Sequence, residues 1–460
     1  MALGTLWLWW GFRAGVPGAL VGGPPGALLF AAGLSNLLWA GNARIFQFMA
    51  LGALCGMLLS LPASLVFGPA DALVLLVGSG AGFVAAGYLS IVQEPVPEEI
   101  SKPRLNLGLA ARAAGDEASM GGIVLTTWPH AVGSRAARIG GELDEVLDIF
   151  EEKGWLRDPT GYHRPPPPPE RLRIEPRRSR GREFEHLSFE SGYEPWSEEP
   201  GRDRWLSYRR NRTAHAWVLR HPGAPRPWLV CLHGIRMGAP RGDFRLYRPE
   251  HLHEKLGLNL LLPILPLHGP RRVGLVSGDR ILSGDVMDTL HAGAQAAWDV
   301  RRMVSWLKMP EQIAPAIGVL GYSLGGYVAA LLAALETGVD CVIAANPAVN
   351  PSRLFWRNAL SLSAHYLENA GATEEKTEEI MRVISPLAFD PLIPKERRAI
   401  FGGVADRVVP ATEAASLWHH WNRPRATWYP GTHRGFLRTH EGKAALEDVL
   451  RSSGMLVNNS

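Results

Sequence analysis

At 460 residues the chain is too long for one compact domain, and with 46% hydrophobic but only 20% charged residues it is poor in charge for a soluble protein. Its net charge of +4 comes without a Lys/Arg block interleaved with aromatics, which argues against nucleic-acid binding. The three cysteines, Cys55, Cys231 and Cys341, lie far apart in apolar runs, so they read as buried thiols. Neither a disulfide framework nor a metal site is expected from them, and no cofactor is implied.

The front of the chain accounts for the low charge. Ala14 to Ala43, Ile45 to Ala70 and Ala72 to Gln93 carry no charged residue, and only Arg44 and Asp71 interrupt them. Each run exceeds the roughly 20 residues that cross a bilayer as a helix. Three consecutive blocks do not describe a signal peptide. Residues 1–93 are therefore expected to hold two or three transmembrane helices, two of them over Ile45–Phe67 and Ala72–Val92. A third is expected over Gly26–Ala40 only, because Pro24-Pro25 should break the helix ahead of it. Trp7, Trp9 and Trp10 are suited to the membrane interface. Arg44, Lys102, Arg104 and Arg112 would share one side and Asp71 the other, which places the C-terminal region in the cytoplasm.

Residues 94–185 are expected to form a polar helical segment followed by a linker. Leu105 to Trp155 is mostly helical by pattern. Asp144, Glu145 and Asp148 lie on the polar side of an amphipathic helix and read as a solvated face, not a metal cluster. The run Pro165 to Pro169 is stiff and extended. The arginines from Arg171 to Arg182, interleaved with Glu170, Glu175 and Glu183, read as a solvated segment, with anionic lipid as the alternative contact.

From His186 onward strands and helices alternate. Strands are expected over Ala214–Leu219, Trp228–Leu232, Leu258–Pro263, Ala316–Leu320, Cys341–Ala345, Arg398–Val404 and Thr427–Tyr429, with a helix over Asp285–Lys308. That alternation predicts an α/β domain over residues 186–452, with a mostly parallel sheet covered on both faces. Within it, the strand ending in Gly321-Tyr322-Ser323-Leu324-Gly325 runs straight into an Ala/Leu-rich helix, the pattern of a nucleophile elbow. Upstream, Trp228–Leu232 ends in His233-Gly234. The backbone N–H of Ile235 or Arg236, with that of Leu324, would form an oxyanion hole. Downstream, Asp406 and His433 each follow a strand. A hydroxyl needs an imidazole to take its proton, and the imidazole needs a carboxylate to fix its tautomer.

With these pieces in place, the stretch Trp205–Leu450 resembles the α/β-hydrolase superfamily, through His233-Gly234, the Gly321-x-Ser323-x-Gly325 elbow, Asp406 and His433, in the order Ser, Asp, His. Leu265-Pro-Leu-His-Gly-Pro-Arg-Arg272 is similar to a group of bacterial members. The resemblance implies an esterase- or lipase-like, membrane-anchored serine hydrolase with Ser323 as nucleophile, His433 as base and Asp406 as its partner. It departs from the family pattern at 346–395, a long aromatic-bearing segment (Phe355, Trp356, Tyr366, Phe389) that resembles a lid.

Other residues compete for these roles. Asp340 and Asp390 are reserve acids, and His440 and the His419-His420 pair are reserve bases. His251 and His253 lack a third metal ligand, and His268 is a turn histidine or borders the active-site face. Asp279-Arg280 and Asp299 with Arg301-Arg302 are expected to form loop-bracing ion pairs. A serine nucleophile argues against the dehalogenase and epoxide-hydrolase branches of the superfamily, which use an aspartate there. The leading expectation is cleavage of carboxylic esters, lipid or lipophilic small molecules, through an acyl-enzyme. The alternatives are a serine peptidase or acyltransferase of the same fold, or a non-catalytic membrane-tethered binding protein.

Overall fold

The computed structural model describes residues 1–38, 42, 44–127, 131–281, 283–312, 314–437 and 439–456. The chain divides into two compact units.

The smaller unit comprises Met1–Thr126 with Gly403–Thr412 and Pro430–Gly435. Its helices are α1 (Ala2–Arg13), α2 (Gly15–Leu38), α3 (Arg44–Phe67), α4 (Pro69–Gln93) and α5 (Leu107–Thr127). Three of them, α2, α3 and α4, are long and apolar enough to cross a membrane. Two expectations are corrected here. First, α2 runs unbroken through Pro24 and Pro25, and begins eleven residues before Gly26. In an apolar bundle, packing can hold a helix across the backbone bonds that proline removes. The expected end of that span, Ala40, lies outside the described residues. Second, Trp7 is fully buried, and its indole N–H donates to Ser79 Oγ at 3.2 Å, so it is a core residue and not an interface anchor. Helix α5 packs Ala114 and Ala118 against Ala50 of α3 and Ala86 of α4. The approach of α5 to α4 is close enough that a Cβ on Gly87 would stand 1.9 Å from the Ala110 carbonyl oxygen.

The larger unit holds a nine-stranded sheet in the order β1-β2-β3-β5-β4-β6-β7-β8-β9. The strands are β1 (Arg173–Ser179), β2 (Arg182–Glu190), β3 (Thr213–Leu219), β4 (Trp228–Leu232), β5 (Asn259–Ile264), β6 (Ile317–Tyr322), β7 (Cys341–Ala345), β8 (Arg398–Gly403) and β9 (Arg425–Tyr429). The β1–β2, β2–β3 and β3–β5 pairs are antiparallel, and β5, β4, β6, β7 and β8 run parallel. This mostly parallel sheet, with its order reversing at β5-β4, is the α/β-hydrolase fold. Alternation sorts its side chains into two cores: Val230 and Leu232 of β4 join one, Leu229 and Cys231 the other. Such strands are buried on both faces and therefore read as continuous apolar runs.

The remaining helices are α6 (Ser134–Glu152), α7 (Arg202–Ser207), α8 (Pro240–Tyr247), α9 (Val286–Leu307), α10 (Leu324–Leu335), α11 (Pro351–Asn358), α12 (Ser361–Asn369), α13 (Glu374–Met381), α14 (Ala411–His420) and α15 (His440–Ser452). The sheet reaches further toward the N-terminus than residue 186. The Arg/Glu-rich stretch expected to be an irregular solvated segment is the β1–β2 hairpin, turning at Arg180-Gly181 with positive φ at both. β1 is largely exposed, so it lacks the apolar alternation that announces a strand. Pro165–Pro169, outside any regular element, is docked: the Arg302 guanidinium donates to the carbonyls of Pro167 at 2.9 Å and Pro168 at 3.1 Å. The lid-like segment resolves into α11, α12 and α13, with Trp356 Nε1 donating to Thr377 Oγ1 at 2.8 Å.

Candidate active site

β6 ends at Tyr322, and α10 begins at Leu324. Ser323 makes the whole turn between them, at φ 58° and ψ −117°. A non-glycine residue at such a φ is strained, and strain of this kind persists only where its surroundings hold it. The hold is visible: Ser323 N–H donates to the Ala345 carbonyl at 2.8 Å, and its own carbonyl accepts from Tyr327 N–H at 3.0 Å. Two glycines are required by close approach. A Cβ on Gly321 would sit 1.9 Å from the Gly325 carbonyl oxygen, and one on Gly325 would sit 1.8 Å from that of Leu232. The G-x-S-x-G spacing is thus a packing solution between β6, α10 and the end of β4.

β4 ends at Leu232 and turns at His233-Gly234, where a Cβ on Gly234 would meet Ser323 Cβ at 3.3 Å. His233 is a brace. Its Nδ1–H donates to the Gly234 carbonyl at 2.8 Å and its Nε2 accepts from Leu265 N–H at 3.1 Å, which fixes a neutral tautomer. Burial pushes its pKa down. Arg236 follows at φ 63°, so the segment that carries the Ile235 and Arg236 N–H groups turns sharply beside the elbow. In the Leu265–Arg272 stretch, His268 is fully buried with Nδ1 on the Pro266 carbonyl at 2.9 Å. Arg271 is also fully buried, forms an ion pair with Asp299 at 2.9 Å, and donates to the carbonyls of Ile264 and Asn211. That stretch clamps the loop after β5.

Asp406 and His433 belong to the smaller unit, whereas Ser323 and the His233-Gly234 turn belong to the larger. Asp406 follows the end of β8, and His433 opens a short turn after β9. They meet: His433 Nδ1–H donates to Asp406 Oδ2 at 2.6 Å. The other carboxylate oxygen accepts from the N–H groups of Val408 at 2.9 Å and Val409 at 2.8 Å. With the Asp406 carboxylate as acceptor, the imidazole carries its proton on Nδ1 and leaves Nε2 as the unprotonated nitrogen. Burial alone would lower the His433 pKa, but the Asp406 and Asp116 carboxylates outweigh it and raise the value above the usual 6.5.

Asp116 and Glu117 of α5 escape the sequence reading. Asp116 Oδ2 accepts the backbone N–H of His433 at 2.8 Å. Arg407, next to Asp406, forms ion pairs with Glu117 at 2.9 Å and Glu94 at 2.6 Å. Arg434, next to His433, donates to Ser119 Oγ at 2.8 Å. Burial first, then the Asp406 charge, pushes Asp116 up to about 7. Their signal was two adjacent carboxylates in an Ala/Gly-rich helix whose one other charged residue is Arg112.

Several of the competing residues are bonded elsewhere, and others are exposed. Asp340 Oδ2 accepts from Ile317 N–H at 2.8 Å, at the start of β6 and so at the other end of the strand from Ser323, and Asp390 is exposed. His440 is exposed at the start of α15, and His420 Nε2 bonds the Phe389 carbonyl at 2.8 Å. His251 pairs with Glu447 at 3.1 Å, and His253 stacks on His221. Among the described residues no group of three His, Cys, Asp or Glu side chains is placed to hold a metal. The expected ion pairs are replaced by other contacts: Asp279 accepts from Val276 N–H, Asp299 pairs with Arg271 instead, and Arg301 pairs with Glu336 at 3.7 Å.

A family model described as "Uncharacterised protein family (UPF0227)" matches residues 280–434, a span that contains Ser323, Asp406 and His433. Among solved structures, an acetyl xylan esterase from Paenibacillus sp. R4 is similar with a TM-score of 0.45 and 15% identity, over 66% of this chain and 93% of that one. The acylaminoacyl peptidase of Pyrococcus horikoshii gives a TM-score of 0.41 and 15% identity, over 62% of this chain and 43% of that one. An uncharacterised protein of Mycobacterium tuberculosis (strain CDC 1551 / Oshkosh) is 39% identical over 361 residues, which is 78% of this chain and 86% of the relative. The same comparison with strain H37Rv gives 38%. At that identity and coverage, the chain belongs to the family of these mycobacterial proteins.

Proposed function

We propose that the protein is a membrane-anchored serine hydrolase that cleaves carboxylic esters through an acyl-enzyme. The observation that carries this reading is the buried pair of His433 and Asp406, whose 2.6 Å hydrogen bond and backbone-locked carboxylate leave Nε2 as the base. The strained Ser323 turn supports the choice of nucleophile. In this reading His433 Nε2 takes the Ser323 proton as Oγ attacks the ester carbonyl. The Leu324 and Ile235 N–H groups hold the oxyanion, helped by the N-terminus of α10. His433 returns the proton to the departing alcohol, then activates a water that releases the acid and regenerates Ser323.

The anchor is α2, α3 and α4, whose length and apolarity suit a bilayer. With three spans, Arg44 and the Lys102, Arg104 and Arg112 group fall on one side and Arg13 and Asp71 on the other. The richer side is assigned to the cytoplasm by the positive-inside rule, together with the sheet-bearing region. A membrane-bound enzyme meets lipophilic esters at high local concentration, and these are the proposed substrates. The test uses full-length protein in detergent with p-nitrophenyl esters of rising acyl length and peptide anilides. Turnover of the esters, increasing with acyl length, is expected; a preference for the anilides would overturn the assignment.

A further inference from the structure

We propose that Asp116 is a positioning residue for His433, so that α5, the helix packed on the membrane-spanning bundle, sets the pose of the catalytic base. The inference rests on the serine-hydrolase reading above. Its evidence is geometric. Asp116 is 2% exposed and accepts the His433 backbone N–H at 2.8 Å, across 317 residues of sequence. The flanking contacts repeat the pattern. Glu117 and Glu94 grip Arg407, and Ser119 accepts from Arg434, so both the acid's loop and the base's loop are held from α5 and the end of α4. An apolar cluster of Ile91, Leu109, Ala113 and Ala405 fills the space between them.

A carboxylate is a costly choice for a single backbone N–H. Any carbonyl or hydroxyl would accept that bond, whereas a buried carboxylate carries a desolvation cost and here also faces the Asp406 charge. What the carboxylate adds, in its ionised form, is a second negative group beside the imidazole. It fixes the His433 main chain and favours the imidazolium that forms while the base holds the nucleophile's proton. The charged groups facing Asp116 are Asp406, His433 and Arg434, with Arg407, Glu117 and Glu94 behind them.

The test measures the rate constant for fluorophosphonate labelling against pH, on full-length protein in detergent, for wild type, Asp116→Ala and Asp116→Asn, with Ser323→Ala as the control. Asparagine keeps an acceptor for the His433 N–H but not the charge. Asp116→Ala is expected to label at least about tenfold more slowly at the plateau, because the base is no longer held. Asp116→Asn is expected to restore most of that rate while moving the acid limb to lower pH, since loss of a nearby negative charge lowers the imidazole pKa. An alanine variant with the wild-type plateau and midpoint would overturn the proposal. Should the alanine variant fail to fold, the asparagine variant decides alone: an unmoved midpoint overturns the proposal, and a lowered one supports it. A wild type that does not label takes down both the proposal and the hydrolase reading. A wild type that labels beside Asp116 variants identical to it takes down the proposal only.

Discussion

Replacing Asp406 by asparagine tests the acid's role with almost no change of shape. Asp406 Oδ1 accepts two backbone N–H groups, from Val408 at 2.9 Å and Val409 at 2.8 Å. In Asp406→Asn the amide oxygen has to keep facing those donors, or two buried N–H groups lose their partner. The NH2 group is then turned toward His433 Nδ1, which stands 2.6 Å from the present Oδ2. Donor would face donor, so the imidazole moves its proton to Nε2. In that tautomer Nε2 cannot accept the Ser323 proton, and the imidazolium also loses its counter-charge. For a Ser-His-Asp arrangement this change costs about 10⁴-fold in rate. At 1.36 kcal/mol per tenfold, that is about 5.5 kcal/mol of barrier. The assay is the fluorophosphonate labelling rate of full-length protein at neutral pH, with thermal unfolding run beside it. A folded Asp406→Asn variant that labels within about tenfold of wild type would refute the tautomer argument.

Further outcomes follow from the same contacts. Because its carboxylate neighbours hold the His433 pKa above 6.5, the rate should fall as pH drops through a midpoint above that value; a midpoint below it contradicts the electrostatics. The matching stability term has the opposite sense: the protonated imidazole stabilises the fold below its unfolded pKa, and that contribution is lost as pH rises through the folded value. Gly325→Ala would drive a Cβ to 1.8 Å from the Leu232 carbonyl oxygen, so β4 and α10 must part. A loss of about 1–3 kcal/mol in thermal unfolding and roughly 100-fold in labelling rate is expected; an unchanged variant contradicts the close-approach reading. Arg271→Leu leaves the buried Asp299 carboxylate without its guanidinium. It should cost about 3–5 kcal/mol in denaturant unfolding, a loss that Asp299→Leu in the same chain should partly recover.

What could be read from the sequence was what local chemistry determines. β4 and β7 match their expected bounds because doubly buried parallel strands are unbroken apolar runs. The elbow was legible because Gly321 and Gly325 are each demanded by a backbone oxygen less than 2 Å from where a Cβ would stand. Features set by distant partners were not legible. The β1–β2 hairpin carries charge on both faces, so no alternation marks it. Pro24 and Pro25 look like helix breakers until the rest of the bundle is present to hold α2. Trp7 looks like an interface residue until Ser79, in α4, supplies a partner for its indole. Asp116 and Glu117 look like two charges on a helix until loops some three hundred residues later close over them. For the same reason, substrate profiling has to use the full chain. A fragment lacking the first 126 residues would also lack the acceptors that hold His433 and Arg407.

Whether Ser323 is a hydrolase nucleophile is measured by fluorophosphonate labelling of membranes containing the full-length protein, wild type beside Ser323→Ala, with the modified peptide identified by mass spectrometry. Labelling of wild type on Ser323, lost in Ser323→Ala, is the expected result. A folded wild type that takes no label, or a Ser323→Ala variant that labels as well as wild type, would contradict a Ser323 hydrolase.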